Sequence, residues 1–222
     1  MRNVKIEKYD NSSEKQIIHI DKPMKIDDGI VLLSEKDRTK FIKTCEVLIR
    51  SSKEYKDFIK YFKEYYDIHS CAFFTNLDTM TLSKVKLEIH HEPFSLFDIT
   101  NIVLNKHLMN DVPLNYFRIA SEVTKLHYEH KVGLIPLSVT VHQLYHLGKI
   151  FIPIQAVDNL GLIEFIKEYE DYIPEEQKDI LVDKIKASKE IEVQGYQDLS
   201  ILGKKYTYLE IEGQTFPKLI EE

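Results

Sequence analysis

Four histidines stand in two separate stretches of the chain that could together bind a metal ion. His90 and His91 end the first stretch, and His142 and His146 lie in the second, just after an apolar run. Imidazole is the commonest nitrogen ligand for first-row divalent metals, and it also exchanges protons near neutral pH. These residue types therefore point to metal chemistry with a histidine available as a base.

The spacing within each pair limits what the pair can do. His142 and His146 are four residues apart, so a helix would place both rings on one face, where they could bind one ion. His90 and His91 are adjacent, and neighbouring residues of a regular strand face opposite ways unless the strand ends there. Pro93 makes such a break plausible. Each pair alone is also typical of ordinary surface or core histidines.

Hydrophobic periodicity predicts the elements that position these rings. An alternating pattern predicts a strand ending at His90, and a second short strand precedes a helix that carries His142 and His146. Two helices are predicted in the connection between the strands. In chain order the predicted elements are a strand at Val85–His90, helices at Ser95–Met109 and Leu114–Lys131, a strand at Leu134–Leu137, and a helix at Ser138–Leu147 that stops at Gly148.

The flanks predict further strands and helices. Ser34 with Asp37 resembles a capping box, which predicts that a helix starts there. The other predicted helices are Glu54–Tyr66, Leu160–Tyr172 and Glu175–Lys189; the predicted strands are Val4–Tyr9, Ile17–Ile20, Ile30–Leu33, Cys71–Phe74 and Tyr206–Ile211, with a short extended run at Phe151–Ile154.

Composition narrows the class of protein. The 222 residues are 43% hydrophobic and carry a net charge of −6, with the acidity concentrated in residues 151–222. No apolar run approaches the length of a membrane span, so no membrane association is expected. Cys45 and Cys71 form no disulfide framework, and the N-terminus shows no signal peptide. We therefore expect a cytoplasmic protein, in the host-cell cytoplasm if it is phage-encoded.

The combined pattern resembles a known family. Glu88-Ile89-His90-His91-Glu92, followed by Gly133-Leu134-Ile135-Pro136-Leu137 and His142-Gln143-Leu144-Tyr145-His146, looks like the HNH (ββα-metal, or His-Me finger) endonuclease motif. It is most similar to the variant in DNase colicins and to HNH proteins of bacteriophages. The resemblance implies that His91 is the general base, that His90, His142 and His146 are metal ligands, and that Glu88 is a supporting carboxylate. Gly133 stands where the family usually has an asparagine that fastens the loop of the general base.

The same resemblance implies a function and an architecture. The protein would hydrolyse DNA phosphodiester bonds with one divalent ion (Zn, Ni, Mn or Mg), and its flanks could bind a protein partner. The fold class would be α+β. A ββα-metal core at 81–155, with a helical insertion at 92–132, would lie between an N-terminal strand-and-helix region at 1–80 and an acidic, mainly helical region at 156–222.

Two other hypotheses remain open on the sequence. The protein could be a catalytically silent His-Me-finger protein that acts as a structural or protein-binding module, which Gly133 and the acidic C-terminal third favour. It could also be an α+β interaction module in which the histidines are unrelated. His107, His127 and His130 are expected to be ordinary polar-face residues rather than parts of the site.

Overall fold

The computed structural model describes residues 24–25, 31–32, 34–73, 79–80, 85–158, 160–193, 206–211 and 214–219. These residues form a mainly helical α+β structure with three two-stranded antiparallel sheets, which confirms the predicted fold class. The elements are β1 (Met24–Lys25), β2 (Val31–Leu32), α1 (Glu35–Ser51), α2 (Lys53–Tyr65), β3 (Leu87–His91), α3 (Leu96–Met109), α4 (Tyr116–Tyr128), β4 (Leu134–Ser138), α5 (Val139–His146), α6 (Leu162–Tyr169), α7 (Glu175–Val193), β5 (Tyr206–Ile211) and β6 (Gln214–Leu219).

Serine side chains cap the N-termini of helices α1 and α3. Ser34 Oγ accepts a hydrogen bond from the backbone N–H of Asp37 at 3.2 Å, so the predicted start of α1 is confirmed. Ser95 and Asp98 form a full capping box at the start of α3. Each cap satisfies a backbone donor that the first helical turn would otherwise leave without a partner, which stabilises the helix by about 1 kcal/mol.

Helix α3 lies at the centre of the larger hydrophobic core. Twelve of its 14 residues are buried, so it is covered on nearly every side. Helices α1, α4 and α6 pack against it. Each fully buried aliphatic or aromatic side chain here contributes roughly 1.5–3 kcal/mol. The insertion that the sequence predicted between the two histidine pairs therefore supplies the core of the molecule.

The pairing of β3 with β4 brings the two histidine stretches together. In this antiparallel ladder His90 faces Ile135 and His91 faces Leu134. Helix α5 follows β4 directly, capped by Ser138, and ends before Gly148, whose φ is +65°. The predicted strand, turn and helix around His142 are thus confirmed as local structure.

Several local predictions differ from the structure. Residues 71–73 do not form a strand, although Ala72 N–H donates to the Pro136 carbonyl at 2.9 Å beside β4. A 3₁₀ turn at Ile154–Ala156 replaces the end of the predicted extended run. Strand β6 was missed because it contains Pro217, which argues against a strand in sequence. The predicted strands Val4–Tyr9 and Ile17–Ile20 lie outside the described residues, and the three predicted regions stay a prediction.

Gly133 lies where its backbone and that of Glu92 approach each other closely. A Cβ atom at this position would lie 1.8 Å from the Glu92 carbonyl oxygen and 2.8 Å from a methyl group of Val157. The Gly133 carbonyl also accepts a hydrogen bond from Glu92 N–H at 3.1 Å. Glycine is therefore required here by space, which explains why no asparagine stands at this position.

Replacing Gly133 should destabilise the fold more than replacing a glycine with free space around it. We expect Gly133→Ala to lower the free energy of unfolding by about 3 kcal/mol or more, because the new methyl group forces β3 and β4 apart. Gly148→Ala is the control: nothing lies within 4 Å of its Cβ, so only the positive φ costs energy, roughly 1–2 kcal/mol. Urea denaturation measures both, and an equal or smaller loss for Gly133→Ala would contradict the steric argument.

Candidate metal centre

Three of the four predicted site histidines converge on one point. His90 Nδ1 lies 2.9 Å from His142 Nε2, and His146 Nε2 lies 3.0 Å from the same atom. All three ligand atoms lie within 4.8 Å of one another. His90 comes from β3 and is buried, whereas His142 and His146 come from one face of α5 and are partly exposed.

Carboxylates lie behind two of the three rings. Glu88 Oε2 lies 2.6 Å from His142 Nδ1, and Glu92 Oε2 faces His90 Nε2 at 3.5 Å. An ionised carboxylate accepts hydrogen bonds and cannot donate them, so it favours a proton on the nitrogen that faces it. Glu88, at hydrogen-bond distance from His142 Nδ1, therefore leaves a lone pair on His142 Nε2 that faces His90 Nδ1.

The lone pair on His142 Nε2 can accept a hydrogen bond from His90 Nδ1, or the two nitrogens can bind one cation between them. Burial lowers the pKa of His90, although the hydrogen bond from its ring to Glu92 opposes this shift. The neutral ring is the form that can coordinate a metal. A carboxylate behind a ligating imidazole is also the usual second shell of metal-bound histidine, because it fixes the tautomer and the ring orientation. The donor set therefore fits one divalent ion.

Glu92 is the most deeply buried charge beside the cluster, with 1% of its surface exposed. It lies against His90, the Lys184 ammonium group on α7, and the Tyr145 hydroxyl, which donates to Oε2 at 2.5 Å. Burial by itself would raise the pKa of the Glu92 carboxyl, but the hydrogen bond from His90 and the charge of Lys184 hold it below the ordinary value. Glu92 is thus an ionised group that faces the cluster. Burial of the Tyr145 hydroxyl, together with the Glu92 charge beside it, raises the pKa of Tyr145.

His91 lies apart from the other three histidines. Because β3 runs through His91, its side chain faces the opposite side of the strand from His90. Its Nε2 lies 2.9 Å from His127 Nε2. His127 Nδ1 donates to the Val123 carbonyl at 2.7 Å, so His127 Nε2 accepts and His91 must donate. Burial lowers the pKa of His91 well below its ordinary value.

Sequence reasoning missed the residues that surround the histidines. Glu92 and Tyr145 stood inside the quoted motif without an assigned role, and Lys184 is 92 residues from Glu92. His127 was expected on a polar face and is instead fully buried between α4 and the aromatic rings of Tyr55 and Phe58. Only Glu92 gave a usable signal, because a carboxylate two residues after a ligating histidine can reach the ring of that histidine.

Two further histidines have carboxylate partners away from the cluster. His107 Nε2 lies 2.6 Å from Glu122, which also binds Lys106 and Tyr169. His130 Nδ1 lies 3.0 Å from Asp158, which forms a β-bridge with Leu134, the first residue of β4. Both pairs join helices or loops of the core and stand apart from the three-histidine cluster.

Comparison with known proteins gives one match. The family model of the bacteriophage G278-like virion proteins matches residues 2–215, which is nearly the whole chain. No curated protein and no solved structure matches.

This match overturns the family and the function predicted from the motif. The identification as an HNH endonuclease, the hydrolysis of DNA and the classification as an enzyme are wrong, because the match over almost the full length is to a virion protein. The role of His91 as a general base is withdrawn with the nuclease. The bacteriophage origin is supported, whereas nothing supports a DNA partner. The ββα-metal core is not confirmed, because a short ladder and one helix do not by themselves identify that fold.

Within the described residues, no helix combines the length and the apolar character needed to cross a bilayer. The cytoplasmic location stays a prediction, as do the metal ion and its ligands.

The buried histidine pair should make the fold sensitive to acid. Burial lowers the pKa of His127 to about 4, against about 6.5 in the unfolded chain. Below pH 6.5 the unfolded chain therefore binds a proton that the folded chain does not, and stability is lost as the pH falls toward 4. The His127 contribution to the free energy of unfolding should fall by about 3 kcal/mol between roughly pH 7 and pH 4.

The comparison with His127→Gln isolates the contribution of the histidine pair, because the titrating groups other than His91 and His127 are common to both proteins and lie outside this pair. The difference in unfolding free energy between wild type and His127→Gln, measured with urea in EDTA, should shrink steadily as the pH falls. A difference that stays constant over this range would show that His127 is not held neutral by burial.

Proposed function

Because the chain belongs to the bacteriophage G278-like virion protein family, we propose that it is a non-enzymatic structural component of the phage particle whose fold is locked by one divalent metal ion. The observation that carries the metal is the convergence of three imidazole nitrogens, two of which have a carboxylate behind the opposite ring nitrogen. The burial of His91 against His127 supports a structural role, because no fourth histidine among the described residues then stands beside the ion to activate water.

Zinc is the ion that fits this donor set best. Imidazole ligands favour Zn²⁺, Ni²⁺ or Mn²⁺ over Mg²⁺, which prefers oxygen ligands. In a tetrahedral zinc site with bonds of about 2.0–2.1 Å, neighbouring nitrogens are roughly 3.3 Å apart. Two of the three separations, 2.9 and 3.0 Å, lie within a few tenths of an ångström of that value, and all three ligand atoms lie within 4.8 Å of one another. The ion would supply coordination bonds in place of the hydrogen bonds between these rings.

The position of the ligands shows what a bound ion would hold together. His90 belongs to β3, whereas His142 and His146 belong to α5, which follows β4. The ladder between β3 and β4 has only five residue pairs, and an isolated two-stranded sheet of this length is marginal in water. A metal bound by β3 and α5 would fix the helix against the sheet at this edge of the molecule.

Zinc should bind and stabilise the protein. We expect one zinc ion per chain by isothermal titration calorimetry and elemental analysis. Zinc at 100 times its dissociation constant should raise the unfolding free energy by about 2.7 kcal/mol, which corresponds to roughly 5–10 °C in melting temperature for a chain of this size. His142→Ala should lose most of this shift because it removes the central ligand.

His69→Ala is the matched control for the zinc experiment. His69 pairs with Asp67 at 2.7 Å, its side chain is 42% exposed, and it lies outside the cluster. The variant should bind zinc as tightly as wild type. A wild-type protein that takes up no zinc, or a His142→Ala protein that binds zinc normally, would contradict the assignment.

The structural role predicts that the protein is a regular constituent of the particle. Quantitative mass spectrometry of purified phage particles should find this chain at a fixed copy number per particle. The purified protein should leave supercoiled plasmid intact in Zn²⁺, Mn²⁺, Ni²⁺ or Mg²⁺. Absence from the particle, or plasmid cutting that His142→Ala abolishes, would contradict the proposal.

A further inference from the structure

We infer that Lys184 and Glu92 connect the metal centre to α7, so that metal binding and docking of this helix stabilise each other. This inference rests on the proposed metal site and adds a regulatory property to it. The observations that carry it are the buried contacts between His90, Glu92 and Lys184, together with the way in which α7 is attached to the rest of the molecule.

The connection runs through one buried carboxylate. Glu92 Oε2 faces His90 Nε2 at 3.5 Å, on the side of the ring opposite the nitrogen that would bind metal. Glu92 Oε1 binds the ammonium group of Lys184, and Tyr145 OH lies 3.2 Å from the same ammonium group. An anion that is 1% exposed is stable only with its charge and hydrogen-bond partners in place. Glu92 therefore needs both Lys184 and the protonated outer nitrogen of His90.

Helix α7 docks through one face that carries polar contacts. Gln177, Leu181, Lys184 and Ser188 are spaced so that they fall on the same side of the helix. Gln177 donates to Asp98 at 2.6 Å, and Ser188 Oγ accepts from the backbone N–H of Ile154 at 3.0 Å. Lys184 thus lies between two anchoring contacts, and its bond to Glu92 is the one that reaches the metal centre.

Packing beneath this part of α7 is incomplete. A cavity of about 180 Å³ separates the helix from the segment that follows β3, and it is lined by residues that include Phe94, Ser95, Tyr145, Ile180 and Lys184. Leu181 joins α7 to the larger core beside this cavity, and the Lys184–Glu92 pair adds a charged contact along it. The cavity also leaves room for a shortened or uncharged side chain to be solvated without a clash.

The coupling follows from what a bound cation would do to His90. Coordination through Nδ1 would fix the His90 ring with its outer nitrogen facing Glu92, and so would hold the carboxylate in the position where Lys184 binds it. Conversely, Lys184 holds the Glu92 carboxylate facing His90, which orients the ring for the metal. Linkage requires the two effects to be equal in free energy. Lys184 is therefore a positioning residue for the metal centre, although it lies outside the ligand set.

Two measurements on the full chain test this coupling. Zinc affinity is measured by competition with a chromophoric chelator for wild type, Lys184→Met, Lys184→Arg and Lys186→Met. Lys184→Met should weaken zinc binding on the order of tenfold, as loss of an outer-shell partner does. Lys184→Arg should restore most of the affinity because it keeps the charge. Lys186 also lies on α7, but it is 69% exposed and pairs with Asp183, so Lys186→Met should bind zinc like wild type.

Hydrogen exchange measures the reciprocal effect, which is the effect of zinc on the stability of α7. Zinc should slow exchange of the α7 amides at positions 177–189 in wild type and in Lys186→Met, and much less in Lys184→Met. Circular dichroism at the start of each experiment verifies that every variant is folded. Unchanged zinc affinity in Lys184→Met, or unchanged α7 exchange on adding zinc to wild type, would overturn the inference while leaving the metal site intact. A wild type that binds no zinc would overturn both.

Discussion

The antiparallel ladder between β3 and β4 is the constraint on which the candidate site depends. It pairs His90 with Ile135 and so brings a side chain from β3 beside α5, which begins directly after β4. The close approach of the chain at Gly133 sets how near the two strands can lie. A shift of this pairing by one residue would turn His90 to the opposite side of the strand and disperse the cluster. Strand register and glycine therefore determine where the imidazoles meet.

Burial of charge is the second principle that organises this region. A lone buried carboxylate would be neutralised by protonation, but Glu92 has a cation and two hydrogen-bond donors around it. On the other side of β3 the buried groups are uncharged instead of paired with opposite charges. There His91 and His127 form a neutral pair joined by a hydrogen bond. Adjacent positions of one strand thus face two environments, one polar and charged and the other apolar.

The sequence predicted local features well and distant contacts poorly. Ser34 as a helix cap, the stop at Gly148, and the placement of His142 and His146 on one helix face all follow from short-range rules, and the structure has them. The bond from His91 to His127 depends on where α4 packs, 36 residues away, and no periodicity encodes that. A strand was predicted to break after His90 because Pro93 is near, yet the ladder continues to His91 and decides which way its ring faces.

The difference between local features and distant contacts also explains why the motif led to a wrong functional prediction. A metal site built from a strand and a helix needs histidines near the end of the strand and on one face of the helix. This requirement is the same for a structural and for a catalytic ion. A base must in addition stand beside the metal with access to water, and that property depends on the direction of one side chain. His91 shares the sequence position of a base but is buried with its Nε2 against His127, and burial lowers its pKa well below the ordinary value. The spacing of the ligands in the sequence therefore predicts a metal-binding cluster. Whether that cluster could catalyse a reaction depends on the surroundings of the fourth histidine, His91.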